Sequence, residues 1–222
     1  MSKDSEKNTV PSQKPGLSRY SSDLIKRGLD LANKSQFVNS KSLQPPQAPS
    51  IQADAEELSK CGNEKYNRGD YQSALDDYTQ ALRINPNHAN VYYNRGMARY
   101  KLGDYQGAID DHTQALRINP NDADSYKNRA FAHCKLGDKQ GAIDDYTQIL
   151  RINLNDANTY KKRAIARAEL GDKQGAIDDY TQILRINPND VEVYFRRSKA
   201  RSALGDYQGA VEDLRRAANQ RY

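Results

Sequence analysis

The side chains with most to offer chemically near neutral pH are three histidines, His88, His112 and His133, and two cysteines, Cys61 and Cys134. The cysteines stand 73 positions apart with no Cys-x-x-Cys spacing, which reads as two reduced, partly buried thiols rather than a disulfide or a redox couple. His88 falls in a turn and reads as exposed. His112, His133 and Cys134 could be carried towards one another, but no metal-ligand spacing supports a site, and ordinary packing is the preferred reading. The sequence holds no G-x-S-x-G, H-E-x-x-H, Walker loop or dinucleotide fingerprint. Its carboxylates come as pairs, Asp76/Asp77, Asp110/Asp111, Asp144/Asp145, Asp178/Asp179 and Glu212/Asp213, at equivalent positions. Acid–base catalysis needs two carboxyl groups in unlike environments, and repetition provides the opposite. No enzyme, cofactor or metal is expected.

The elements that position these residues recur at a fixed step. Gly-Asp pairs at 69/70, 103/104, 137/138, 171/172 and 205/206 are 34 residues apart. Asn-Pro pairs at 85/86, 119/120 and 187/188 keep the same step, with Asn153-Leu154 in the missing slot. The segment LGDKQGAIDDYTQILRIN occurs unchanged at 136–153 and 170–187. A strict period of this length reads as a solenoid. The units run 55–88, 89–122, 123–156, 157–190 and 191–222, each with two amphipathic helical patterns. In the second unit Tyr92, Gly96 and Arg99 share one face of the first helix, while Ala108, Ile109, His112, Ala115 and Leu116 make a narrow apolar stripe on the second. Gly103 can close the first helix in a left-handed conformation and Asp104 can cap the second. Asn119-Pro120-Asn121-Asp122 then ends that helix and caps the next unit.

On these residues the chain resembles the tetratricopeptide repeat family. The family's large residue early in the first helix is matched by Leu58, Tyr92, Tyr126, Tyr160 and Tyr194. Its small residue four positions later is matched by Gly62, Gly96, Ala130, Ala164 and Ser198. Ala74, Ala108, Ala142, Ala176 and Ala210 match the second-helix alanine; Tyr78, Tyr146 and Tyr180 match the aromatic after it, with His112 and Leu214 as departures. The resemblance implies an all-α, right-handed superhelical solenoid of five helix-turn-helix units over residues 53–222. It departs from the family where a leucine is usual: Cys61, Arg95, Arg129, Arg163 and Arg197 stand there. Four arginines in register either pair internally with the repeated acidic pairs, the favoured reading, or form a track for an anionic ligand.

The resemblance also implies a concave face lined by the first helices that binds other proteins. Carried across, its ligand-facing positions are Ser59 and Asn63; Tyr93, Asn94 and Met97; Lys127, Asn128 and Phe131; Lys161, Lys162 and Ile165; and Phe195, Arg196 and Lys199. Tyr66, Tyr100, Lys101 and Lys135 lie towards the ends of the same helices. Among these, Asn63, Tyr93, Asn94, Lys127, Asn128, Lys161, Lys162, Phe195 and Arg196 are the expected peptide-binding residues. Amides suit a peptide backbone, aromatics suit apolar side chains, and the cations suit acidic ones, so an extended and partly acidic peptide is the expected partner of this scaffold or adaptor. Tyr93 and Phe195 are stronger groove candidates than Tyr92 and Tyr194, which hold the repeated structural position. Members that clamp chaperone tails use three cations with two asparagines. Asn63 and Asn94 match the asparagines, but Ser59, Asp124 and Asn128 replace the cations, so a chaperone-tail co-chaperone is a minor alternative.

The chain has 222 residues, of which 36% are hydrophobic and none is Trp, with formal charge +5. The mean hydropathy of −0.99 is low for a globular core but suits a stack in which each narrow stripe is covered by its neighbour. Residues 1–52 carry +4 of the charge and residues 53–222 only +1. A nucleic-acid-associated role through the basic tail and arginine ladder is therefore a secondary alternative, and nucleic acid is not the expected partner. Residues 1–18 read as disordered, 21–33 as a short helix and 34–52 as a linker rich in Ser, Gln and Pro. No apolar run suggests a signal peptide or membrane span, so a cytoplasmic protein is expected. The last second helix, with a poorer apolar stripe, is expected to cap the stack itself, giving a monomer in preference to a homodimer.

Overall fold

In a computed structural model of the protein, residues 51–220 are described, with side chains from residue 54 onward. The chain divides into residues 1–47 and 48–222, and the described helices all belong to the second unit. The expected helix at 21–33 and most of the expected linker lie outside the described residues.

The described residues form ten α-helices: α1 (Ile51–Asn67), α2 (Tyr71–Ile84), α3 (Ala89–Lys101), α4 (Tyr105–Ile118), α5 (Ala123–Leu136), α6 (Lys139–Ile152), α7 (Ala157–Glu169), α8 (Lys173–Ile186), α9 (Val191–Ala203) and α10 (Tyr207–Asn219). α1 begins at Ile51, inside the stretch that composition assigns to the linker. Each odd-numbered helix pairs with the even-numbered helix after it, and each even-numbered helix packs on the next odd one. The result is an all-α solenoid of five helix-turn-helix units. No described helix is long and apolar enough to cross a membrane.

The turns follow from two residue types. Glycines 69, 103, 137, 171 and 205 have φ between 77° and 90°, the left-handed conformation that a Cβ disfavours. The aspartate after each one caps the following helix, its carboxylate accepting from the third helical amide: Ser73 at 3.2 Å, Gly107 at 2.9 Å, Gly141 at 2.9 Å, Gly175 at 2.8 Å and Gly209 at 2.9 Å. A second glycine in each of the last four units, where the first unit has Ser73, has its own reason. A Cβ at Gly107, Gly141, Gly175 or Gly209 would lie 2.1–2.3 Å from the capping carboxylate oxygen. Asp122, Asp156 and Asp190 cap α5, α7 and α9 through their side chains, whereas His88 at the start of α3 makes no such bond. Where Leu154 replaces proline, α6 still ends at Ile152 with Asn153 extended at φ −136°, ψ 99°, close to Asn119 and Asn187. The asparagine and not the proline sets that exit.

Where the helices of a unit cross, Ala74, Ala108, Ala142 and Ala176 have no exposed surface, so a larger side chain there would force the pair apart. Leu150, Tyr160, Tyr180, Ile183, Leu184, Val193 and Tyr194 show how the core runs from α6 through α9 without a break. Each narrow stripe is completed by its neighbour.

The arginine ladder is internal. Arg95, Arg129, Arg163 and Arg197 each grip the second aspartate of the acidic pair in their own unit through two guanidinium nitrogens. Nη2 donates at 2.7 Å to Asp111 and at 2.6 Å to Asp145, Asp179 and Asp213. Nη1 crosses to the unit before, donating to the hydroxyl oxygens of Thr79, Thr113, Thr147 and Thr181 at 2.9–3.2 Å. The guanidinium carbon stands 5.5–5.6 Å from the ring centre of Tyr92, Tyr126, Tyr160 or Tyr194. One side chain thus ties three helices in two units. Arg99, Arg167 and Arg201, one turn on, donate at 3.0–3.1 Å to Gly107, Gly175 and Gly209 carbonyls and lie 3.0 Å from the same aspartates. In the first unit, where Cys61 replaces the arginine, Lys65 meets Asp77 at 2.7 Å. A track of available guanidinium groups is excluded by this pairing. Cys61 and Cys134 are unbridged, but both are exposed rather than partly buried, and His88 is half-buried rather than exposed.

Candidate binding groove

Contacts between units link successive first helices through several of the residues expected to face a ligand. Asn94 donates to Asn63 Oδ1 at 2.9 Å, joining α3 to α1, and Asn128 donates to the Tyr93 hydroxyl at 3.0 Å, joining α5 to α3. Lys162 of α7 sits 5.0 Å from the centre of the Phe131 ring of α5. Lys161 of α7 bonds Glu192 of α9, and Arg196 donates twice to the same carboxylate at 2.7 and 2.8 Å. The series runs from α1 to α9 because first-helix positions 34 residues apart sit side by side in the stack.

The surface changes character along its length. At the α1 end a cavity of about 320 Å³ is lined by Asn63, Tyr66, Asn67, Tyr78, Tyr93, Asn94 and Met97, amides and phenols with no charged group. Tyr78 donates to Asn63 Oδ1 at 2.7 Å, so that oxygen is filled and the Asn63 amide nitrogen is what the cavity is offered. Burial pushes the Tyr78 hydroxyl up to about 12 and raises Tyr66 and Tyr93, so all three remain neutral donors through the physiological range. At the other end a cavity of about 300 Å³ lies among α7, α8 and α9, with Lys173, Arg196 and Lys199, and one acid, Glu169, around Ile165, Ala168, Tyr180 and Ala200.

The expected row of cations is partly neutralised within the protein. Asp124 bonds Lys127 and holds its ammonium pKa above the usual value, while Lys161, then Arg196, lowers that of Glu192. Lys199 makes no ion pair among the described residues, and Lys162 is held only by the Phe131 ring; the exposed Lys101 of α3 and Lys135 of α5 also lack an acidic partner there. Phe195 is 43% exposed and lines a shallow recess with Val191, Glu192, Arg196 and Lys199, whereas Tyr194 is buried; Tyr92 is half-buried like Tyr93, so burial separates Phe195 from Tyr194 but not Tyr93 from Tyr92. Tyr93 is half-buried, its ring edge-on to His112 at 5.5 Å. The nine expected residues are carried by α1, α3, α5, α7 and α9. The sequence reading missed Asn67 and Tyr78 in the first cavity and the two neutralising acids; Asn67, one turn beyond Asn63 on the same face, was legible from helical spacing.

His112 does not meet His133 and Cys134. It is fully buried, with neither ring nitrogen partnered, and burial, followed by the charge of Arg129, pulls its pKa down to about 4. His133 instead stands in the register of Arg99 and Arg167, 2.7 Å from Asp138. Among the described residues no group of three or more His, Cys, Asp or Glu could hold a metal ion.

Comparison with known proteins agrees with this architecture. Residues 62–103 match a family described as TPR repeat, and residues 89–122, 113–144 and 161–222 match families described as tetratricopeptide repeat. A sequence comparison with curated proteins gives no match. Among solved structures, a MamA protein superposes with a TM-score of 0.66 at 22% identity, covering 75% of this chain and 91% of that one. YrrB superposes at 0.64 with 20% identity over 75% and 86%, and MamA from Desulfovibrio magneticus RS-1 at 0.62 with 18% identity over 78% and 97%. These likenesses are of fold. With its matched repeats, five capped helix pairs and small residues at each crossing, the chain belongs to the tetratricopeptide repeat family.

Proposed function

We propose that the protein is a non-catalytic scaffold that binds an extended, partly acidic peptide segment along the groove formed by α1, α3, α5, α7 and α9. The observation that carries this reading is where the repeat varies. The second helices α6 and α8 are identical, KQGAIDDYTQILRI, and their packing positions recur through the stack. On the groove face the register instead reads Ser59, Tyr93, Lys127, Lys161, Phe195, and one turn on Asn63, Met97, Phe131, Ile165, Lys199. A purely structural face would repeat as the core does; side chains that differ unit by unit are what recognition of a non-repeating ligand requires. YrrB, similar in fold, is described as having an unusual peptide-binding site, which supports the same class of role.

The peptide's backbone would meet Asn63, Asn94 and Asn128, an apolar side chain the Tyr66–Tyr93–Met97 cavity, and its acidic residues Lys162, Lys199 and Arg196. Lys127 and Lys161 can turn to a ligand at small cost, because exposed ion pairs contribute at most about 1 kcal/mol. The test is titration of the full chain with fluorescent extended peptides of graded acidity. Binding should strengthen with acidity, and Lys162→Ala with Lys199→Ala should weaken it roughly tenfold without changing helicity. Affinity independent of peptide charge, or unchanged in the double variant, refutes the groove assignment.

A further inference from the structure

α1 and α10 are the first and last described helices of the stack, and both depart from the repeat at the positions where units meet. In inner second helices the outward stripe is covered by the next unit: Ile109, Ile143 and Ile177 are each 8% exposed. In α10 the same register holds Val211 at 48%, with Leu214 at 42% and Tyr207 at 69% beside it, so the expected self-capping leaves an apolar face uncovered. The register of Thr79, Thr113, Thr147 and Thr181, which receive the next unit's arginine, is occupied in α10 by Arg215. A further unit of the inner type would set its arginine against Arg215, like charge on like. α1 alone lacks that arginine and carries Cys61 in its place. It also puts Glu57 in the register of Val91, Ser125, Thr159 and Val193, and Glu64 in that of Ala98, Ala132, Ala166 and Ala200, all of them buried in their own units. Glu57, Cys61 and Glu64 are exposed and share one helix face at i, i+4 and i+7.

We propose that α10 of one copy docks on α1 of a second copy, continuing the stack head to tail in the 34-residue register, with Arg215 set between Glu57 and Glu64 over Cys61. The small thiol leaves the space that an arginine fills elsewhere, and Arg215 enters it from the opposite side, reversing the direction of the inter-unit tie. Tyr207, Val211 and Leu214 supply the apolar area. Other charges near the contact are Arg216, already paired with Glu212 at 3.0 Å, the exposed Lys60, and Arg68, which stands 3.6 Å from Glu64 in an exposed pair that Arg215 would share or displace. The two patches differ, so the contact is heterologous and builds an open chain rather than a closed pair. It also has one direction, since α10 on α10 opposes two arginines and α1 on α1 opposes glutamates.

Sedimentation velocity of the full 222-residue chain at rising concentration tests this. The mean mass should climb with concentration without stopping at two copies, and fall as salt is added. Arg215→Glu should weaken association by at least about tenfold, and Glu57→Arg with Glu64→Arg should do the same. These positions are exposed, so circular dichroism should show unchanged helicity in both variants. Mixing the two restores complementary charge at both kinds of contact, and mass should return in the mixture alone. A chain that stays monomeric at every concentration, as it would if residues 21–33 covered α10 in the same molecule, overturns the proposal. So does mass that saturates at a dimer, or a mixture no heavier than its components.

Discussion

Lowering the pH should destabilise the protein through His112 specifically. The imidazole takes the place held by Tyr78, Tyr146 and Tyr180 in other units, is fully buried and leaves both nitrogens without partners. Burial depresses its pKa from 6.5 to about 4. In the unfolded chain the ring takes up a proton near 6.5, while the folded ring stays neutral until about 4. Between those values the unfolded state binds more protons, so stability present above 6.5 is lost as pH falls towards 4, by about 3 kcal/mol in all. His112→Phe removes both the titration and the unpartnered nitrogens, and the room is there: Gly96 faces this position as Gly62 faces Tyr78. At pH 7 the variant should be about 1–2 kcal/mol more stable. Its advantage should widen to about 4–5 kcal/mol near pH 4. Burial raises the Asp145 pKa and acts in the opposite sense, but both proteins carry it and it cancels in the difference. The assay is urea unfolding of both proteins from pH 7 to 4, with amide exchange in α4 to localise the effect, because stacked units can open in segments. Parallel stability curves for the two proteins would refute the account.

The arginine ties and the turns give three further outcomes. Arg163→Ala leaves Asp179 buried with only Arg167 and should cost about 3–5 kcal/mol in denaturant unfolding. Arg163→Lys should recover little, since an ammonium cannot reach Asp179 and Thr147 together; full recovery would show that charge alone matters. Gly171→Ala should cost about 1 kcal/mol although nothing lies within 4 Å of the added carbon, because φ is +90° there; an unchanged melting temperature would mean that the turn relaxes. Gly175→Ala should cost about 1 kcal/mol by displacing the Asp172 cap, and should be harmless or favourable once Asp172→Ala has removed that cap. Additive effects in that double variant would break the link between the second glycine and the cap.

What could be read from the chain was whatever the period repeats. Gly-Asp at a 34-residue step carries the left-handed turn and the cap, and both need only the residue's own backbone and its nearest neighbours. The ladder was legible as a choice between internal pairing and a ligand track, because each arginine had an acid at a constant distance in sequence. Its third partner, the threonine of the preceding unit, was not, since that contact exists only after stacking and Thr113, Thr147 and Thr181 also donate to their own helices, as Thr147 does to Ile143 at 2.8 Å. The groove followed the same division. Its candidate residues were chosen by register, but register could not show the neutralisation of Lys161, because Glu192 lies 31 positions away in the next unit. Asp124 beside Lys127 shows the complementary difficulty, a near neighbour whose rotamer decides whether the cation faces a ligand or its own helix. Repetition therefore exposes the scaffold and hides the exceptions, and the exceptions hold the specificity: His112 in a tyrosine register, Cys61 in an arginine register, Arg215 in a threonine register. Each is a place where one unit stops resembling the others, and the most specific tests of this protein are aimed there.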